Sequence, residues 1–127
     1  MALTAERYAE LTELCRRFRI DVLTAIHAAQ SGHPGGSLSV CEILTYLYQE
    51  HMNLDASKPT DPDRDRLVLS KGHAAPMLYR NLAEKGFFPK EELLGYGVSE
   101  NDLILTEAPS AEELARLDPF YMSYFVP

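Results

Sequence analysis

A three-and-four repeat of apolar side chains runs through the first quarter of the chain and ends in a Gly-x-Pro stop, so a long helix is fixed before anything else is decided. Tyr8, Leu11, Cys15, Phe18, Val22, Ala25 and Ala29 fall on one stripe of a 3.6-residue helix, and Leu14, Leu23 and Ile26 widen it. Over three heptads such a stripe serves a coiled coil as well as a helix packed on its own domain; the second use is commoner and is the expectation here. Gly32 accepts the left-handed geometry of a helix C-cap and Pro34 cannot continue the helix, so the stop is expected at this pair.

Beyond that stop the pattern alternates between helix and short extended runs. A second helix is expected from about Ser37 to Ser39 as far as His51, because Ser39 and Glu42 have capping-box spacing ahead of Ile43, Leu44, Leu47 and Tyr48. Asn53 to Asp65, rich in Asp and Pro, reads as a surface loop. Leu67-Val68-Leu69 then reads as a strand, Ser70 to His73 as a turn, and Ala74 to Glu84 as a helix closed by Gly86, with Pro76 in its first turn. Pro89 to Leu94 adds one short helix. After Gly95-Tyr96-Gly97 the character changes: Leu103-Ile104-Leu105 has strand composition, and Ser110 with Glu113 has the spacing to cap a short helix ending near Asp118-Pro119. Phe120 to Pro127 hold four of the chain's twelve aromatic residues. The expected class is α/β, mainly helical, with residues 1–94 as one unit and 95–127 as a divergent acidic tail.

Charge and cysteine usage narrow the setting. Twelve Lys and Arg against nineteen Asp and Glu give a net charge of −7, which argues against the basic surface that nucleic acids and acidic membranes require. Residues 95–127 concentrate the imbalance, with six acidic side chains and one basic. The two cysteines, Cys15 and Cys41, lack metal-type or redox spacing and sit on apolar helical faces, so they read as small core residues in a reducing, cytoplasmic setting. No apolar run approaches the ~18 residues of a membrane span, and no basic-then-apolar leader opens the chain. At 127 residues the chain has the length of one domain.

Two histidines in glycine-containing turns beside helix starts carry the strongest chemical signals. In Ser31-Gly32-His33-Pro34-Gly35-Gly36-Ser37, adjacent glycines let the backbone approach a ligand, and His33 handles a proton near neutral pH. In Leu69-Ser70-Lys71-Gly72-His73-Ala74, the turn after a strand places His73 where open α/β sheets bind ligands. Each has a plainer reading on spacing alone: His33 as a solvated residue after a glycine cap, His73 as a histidine bonded to local backbone. Lys71 either adds charge at this turn or, the commoner case for an exposed lysine, is only solvated. His27 and His51 read as structural, and Asp61, Asp63, Arg64, Asp65 and Arg66 as loop charges with local pairing, the arginines tethering the loop.

The two turns together, with Asp63-Arg64-Asp65-Arg66-Leu67-Val68-Leu69 before the second and Leu82-Ala83-Glu84-Lys85-Gly86-Phe87-Phe88 after it, resemble transketolase, specifically the N-terminal subunit of the two-chain type. The resemblance runs over roughly residues 5 to 94. It implies the N-terminal portion of a thiamine-diphosphate-binding parallel-sheet domain, and an enzyme that moves a two-carbon ketol unit between sugar phosphates in the pentose phosphate pathway. Carried over by motif, His33 contacts substrate hydroxyls and assists proton transfer, and His73 touches the cofactor diphosphate. A transketolase C-terminal subunit and a homo- or hetero-oligomeric assembly are implied with it. The family holds the diphosphate through Mg²⁺ or Ca²⁺ on an Asp of a Gly-Asp-Gly turn, and this sequence contains no such turn, so no metal ligand is assigned to it. The chain is therefore expected to be a truncated or divergent form, supplying part of an active site and inactive alone. A non-catalytic interaction module of the same descent, or a fragment similar to deoxyxylulose phosphate synthase, is the alternative.

Overall fold

A computed structural model describes residues 2–30 and 32–95, and Leu103 to Leu105, Ser110 to Asp118 and the aromatic run from Phe120 lie outside the described residues. The first element, α1, spans Ala5–Ala29. Thr4 caps its start, its hydroxyl oxygen accepting from the Arg7 amide at 3.1 Å. The stop differs from the sequence expectation by two residues. Gln30 takes the left-handed C-cap at φ 54°, its amide donating to the His27 carbonyl at 3.1 Å, and Gly32 follows with φ 114°. The Gln30 side chain donates to the same carbonyl at 2.7 Å, a local bond that offsets the cost of a side chain in that region.

The stripe is legible in the burial. Leu11, Cys15, Phe18, Val22 and Ala25 are buried, whereas Tyr8 is 65% exposed, because the face it shares with Ile20 and Tyr46 is left open. Short α2 (Pro34–Ser39) and α3 (Cys41–Tyr46) follow, and α3 runs on through a π-helical turn, Leu47–His51. Pro34 starts α2 earlier than the Ser39 capping box implies, and Ser39 is its last residue. The Ser39 hydroxyl donates back to the Gly36 carbonyl at 3.1 Å instead of capping α3.

The loop that follows is closed by Asn53 and Asp65: the Asn53 amide donates to the Asp65 carboxylate at 2.7 Å, and the Asp65 amide to the Asn53 carbonyl at 2.9 Å. Arg64 is buried, and Arg66 donates to the Arg64 carbonyl at 3.2 Å, in keeping with a tether. Leu67 to Leu69 is a correction. The segment alternates as a strand would, with Leu67 and Leu69 packed on the core and Val68 59% exposed, but no β-strand forms among the described residues. A strand is made by its neighbour, and no described segment supplies one. The described architecture is therefore helical.

A 3₁₀ turn, Gly72–Ala74, leads into α4 (Ala75–Lys85), which ends at Gly86 with φ 96°, and α5 spans Glu92–Gly95. The core joins Cys15, Phe18, Val22 and Ala25 of α1 to Cys41 and Leu44 of α3, Tyr48 of the π turn, Met77, Leu78 and Leu82 of α4, and Leu93 of α5. Each fully buried large side chain among them contributes about 1.5–3 kcal/mol. Among the described residues, Arg80 is the most deeply buried charged side chain of that interior. Arg80, 2% exposed, donates to Asp21 at 2.7 Å and to Glu84 at 3.0 Å, and its guanidinium lies 4.4 Å from the centre of the Phe18 ring. Lys90, just ahead of α5, reaches the same Asp21 carboxylate at 3.3 Å, so α1, α4 and the lead-in to α5 meet on one acid.

Candidate functional site

Two turns separated by forty residues of sequence come together above the core. Pro34 drives the residue before it out of the helical region, and His33 accordingly sits extended at φ −121°, ψ 111°, just ahead of α2. His73 occupies the middle of the 3₁₀ turn, which the Ala74 amide closes on the Lys71 carbonyl at 3.0 Å. The two imidazoles stack with centroids 4.8 Å apart and planes 8° from parallel, and both residues are exposed. Two proton-handling groups thus lie side by side at the surface, within reach of one ligand.

Glycine makes that approach possible. A Cβ on Gly36 would stand 3.3 Å from the carbonyl carbon, Cβ and oxygen of His73, whereas one on Gly35 would meet nothing within 4 Å. Lys71 adds a second tie: its ammonium donates to the Ser39 hydroxyl at 2.6 Å, joining the His73 turn to the end of α2. The plain reading of Lys71 as solvated missed this bond, which no spacing in the sequence announces. Ser37 was also missed. It is fully buried in α2, and its hydroxyl has no hydrogen-bond partner among the described residues.

The other histidines stay apart from the pair. His27 lies in the last turn of α1, and His51, at the end of the π turn, stacks on Tyr46 at 6.1 Å. The Asp61 to Asp65 run binds its own loop, Asp61 accepting from the Asp63 amide at 2.9 Å. No group of three His, Cys, Asp or Glu side chains suited to a metal ion occurs among the described residues. The described donor set therefore does not fit a divalent cation. An anionic group is a better match, since His33, His73 and Lys71 offer donors from two turns and Gly35 leaves open space beside them.

Cys15 and Cys41 are buried free thiols of the core. Burial, with Cys15 as the next cause, pushes the Cys41 thiol from its ordinary 9.0 up to about 12. That is the signature of an inert packing residue.

Residues 11–97 match the family model of the transketolase, thiamine diphosphate binding domain. Among similar curated proteins, the transketolase of Mus musculus is 43% identical over 98 residues, covering 77% of this chain and 16% of the relative. A 6-deoxy-6-sulfo-D-fructose transketolase subunit of a Clostridium species is 47% identical over 89 residues, covering 70% of this chain and 32% of the relative. Transketolase-like protein 2 of Bos taurus is 39% identical over 101 residues, 80% of this chain and 16% of the relative. The chain thus spans between about a sixth and a third of the length of these relatives.

Proposed function

The chain belongs to the transketolase thiamine-diphosphate-binding family, and from that premise we propose that it contributes one edge of an active site for two-carbon ketol transfer between sugar phosphates. The observation that carries the reading is the stacking of His33 on His73 at 4.8 Å. Thiamine diphosphate, when bound, supplies the carbanion chemistry that accepts the ketol unit. In this reading the His33 imidazole holds a substrate hydroxyl and passes its proton, and the His73 imidazole donates to a diphosphate oxygen. Lys71, tied to Ser39, adds positive charge to the same anion-facing edge.

The rest of the site comes from elsewhere. The divalent cation and the second face of the cofactor are assigned to residues other than the described ones, and a C-terminal transketolase subunit in a hetero-oligomer is the partner that fits. The Clostridium relative, described as a subunit, supports a divided enzyme. Residues 1–94 then form the diphosphate-binding portion and 95–127 a separate tail. A cytoplasmic place in carbohydrate metabolism goes with this reading; among the described residues, no helix is long and apolar enough to cross a membrane.

Reconstitution tests it. The chain mixed with a transketolase C-terminal subunit, thiamine diphosphate and Mg²⁺ is assayed for ketol transfer from a ketose phosphate to an aldose phosphate. His33→Ala and His73→Ala should each lower the rate by about tenfold or more, the loss expected when a positioned proton-transfer group is removed. Unchanged rates in both variants would refute the assignment.

A further inference from the structure

Two contacts of different kinds hold the His73 turn against α2. At Gly36 the backbones touch, for a Cβ there would stand 3.3 Å from the carbonyl carbon, Cβ and oxygen of His73. Such packing sets how near the turn can come, but each van der Waals contact holds only weakly against separation. A hydrogen bond limits the separation as well. The Lys71 ammonium donates to the Ser39 hydroxyl at 2.6 Å across 32 residues of sequence, and that hydroxyl donates in turn to the Gly36 carbonyl at 3.1 Å. With a charged donor the first of these bonds is stronger than a neutral pair. A serine hydroxyl has one proton and two lone pairs. Here the proton is spent on Gly36 and a lone pair on Lys71, so the hydroxyl is held from both sides.

Lys71 is well placed to transmit that hold. Its carbonyl accepts from the Ala74 amide at 3.0 Å and so closes the 3₁₀ turn that carries His73. Its side chain ends on Ser39, the last residue of α2, and His33 directly precedes that helix. One lysine therefore joins, by side chain and by backbone, the two elements that present the stacked imidazoles. Ser39 takes one of the three ammonium protons, which leaves the others for an anion.

We propose that Ser39 is a positioning residue of this edge: its hydroxyl fixes the Lys71 ammonium at the end of α2 and, through the turn closed on the Lys71 carbonyl, keeps His73 stacked on His33. Ser39 acts through Lys71 and the turn, without touching cofactor or substrate. The consequence for diphosphate binding rests on the proposed function above, whereas the effect on the stack does not.

The histidine ring signals of the full chain, compared by NMR without cofactor, test it. Ser39→Ala should move the His33 and His73 signals while helical circular dichroism is retained and His51 stays on Tyr46. Ser39→Thr, which restores a hydroxyl at an exposed position, should return them towards their parental places. Lys71→Met should move them as Ser39→Ala does, and the double variant no further, because the two side chains share one bond. Ser57→Ala removes a hydroxyl bonded to Asp55 in the Asn53 to Asp65 loop and should move neither ring. In the chain assembled with a transketolase C-terminal subunit and Mg²⁺, Ser39→Ala should weaken thiamine diphosphate binding about two- to tenfold, the worth of one hydrogen bond. Ring signals unmoved in Ser39→Ala and Lys71→Met, shifts that add in the double variant, or a Ser39→Thr variant that fails to restore them overturn the proposal. Unchanged cofactor affinity in Ser39→Ala overturns it equally when His73→Ala binds the cofactor less tightly. If His73→Ala binds it as tightly as the parent, the cofactor reading fails, and the ring signals alone decide the part played by Ser39.

Discussion

Replacing Gly36 tests the contact that sets His33 beside His73. An added Cβ lies 3.3 Å from three atoms of His73, a few tenths of an ångström tighter than ordinary contact, so alanine requires a small retreat of the His73 turn. Valine requires more, since its methyl carbons extend about 1.5 Å beyond the Cβ. Overpacking of that kind costs about 1–3 kcal/mol. Against it stands the gain from removing a helical glycine, up to about 1 kcal/mol for alanine. Gly36→Ala should therefore leave stability within about 1 kcal/mol of the parent yet move the imidazoles, whereas Gly36→Val should lose stability and move them further. Gly35→Ala is the control, for its Cβ meets nothing within 4 Å, and it should stabilise without disturbing the rings. Urea midpoints report the energies, and ring-current shifts of the His33 and His73 imidazole protons report the geometry. Imidazole signals that stay put in Gly36→Val, or move as far in Gly35→Ala, would refute the reasoning.

Further outcomes follow from the interior and the helix ends. Arg80→Met should cost about 2–4 kcal/mol, somewhat below the loss for a fully buried pair because Asp21 keeps Lys90 at 3.3 Å and Glu84 remains partly hydrated; an unchanged urea midpoint would contradict it. Thr4→Ala should remove about 1 kcal/mol through the lost bond to the Arg7 amide, read by the same midpoint. The Cys41 thiol is pushed up to about 12 in the folded chain from 9.0, so its contribution is fully present below pH 9.0 and is lost as the pH rises towards 12. Cys41 should contribute at most about 1.4 kcal/mol per pH unit to the fall in stability through that alkaline window, and Cys41→Ala should flatten the slope measured by denaturant titration.

Where local rules suffice, the sequence is transparent. The α1 stripe is a statement about spacing, and Leu11, Cys15, Phe18, Val22 and Ala25 are buried as that spacing requires. Gly86 closes α4 because a left-handed cap needs no tertiary partner. Tyr8 and Leu67 to Leu69 behave otherwise, since burial of one and strand pairing of the other depend on what lies opposite. Ser39 shows a conflict between two local signals, in which proline at the head of α2 prevails over a capping box that starts at that helix's last residue.

The candidate site divides in the same way. Glycine turns beside His33 and His73 pointed to both histidines, but their stacking depends on the close approach of Gly36 to His73 and on packing between α2 and the 3₁₀ turn. The Lys71 bond to Ser39 arises from the same packing and has no sequence signature. Arg80 illustrates a signal left unused. Its spacing of four from Glu84 was visible, whereas Asp21 on a distant helix was not.

The most direct test of the proposed site is a titration of the chain, assembled with a transketolase C-terminal subunit and Mg²⁺, by thiamine diphosphate while the histidine ring signals are followed by NMR. The His33 and His73 resonances should move together and saturate at one stoichiometric point, with His51 unmoved on Tyr46. Saturable cofactor binding that leaves both rings unmoved would contradict the account.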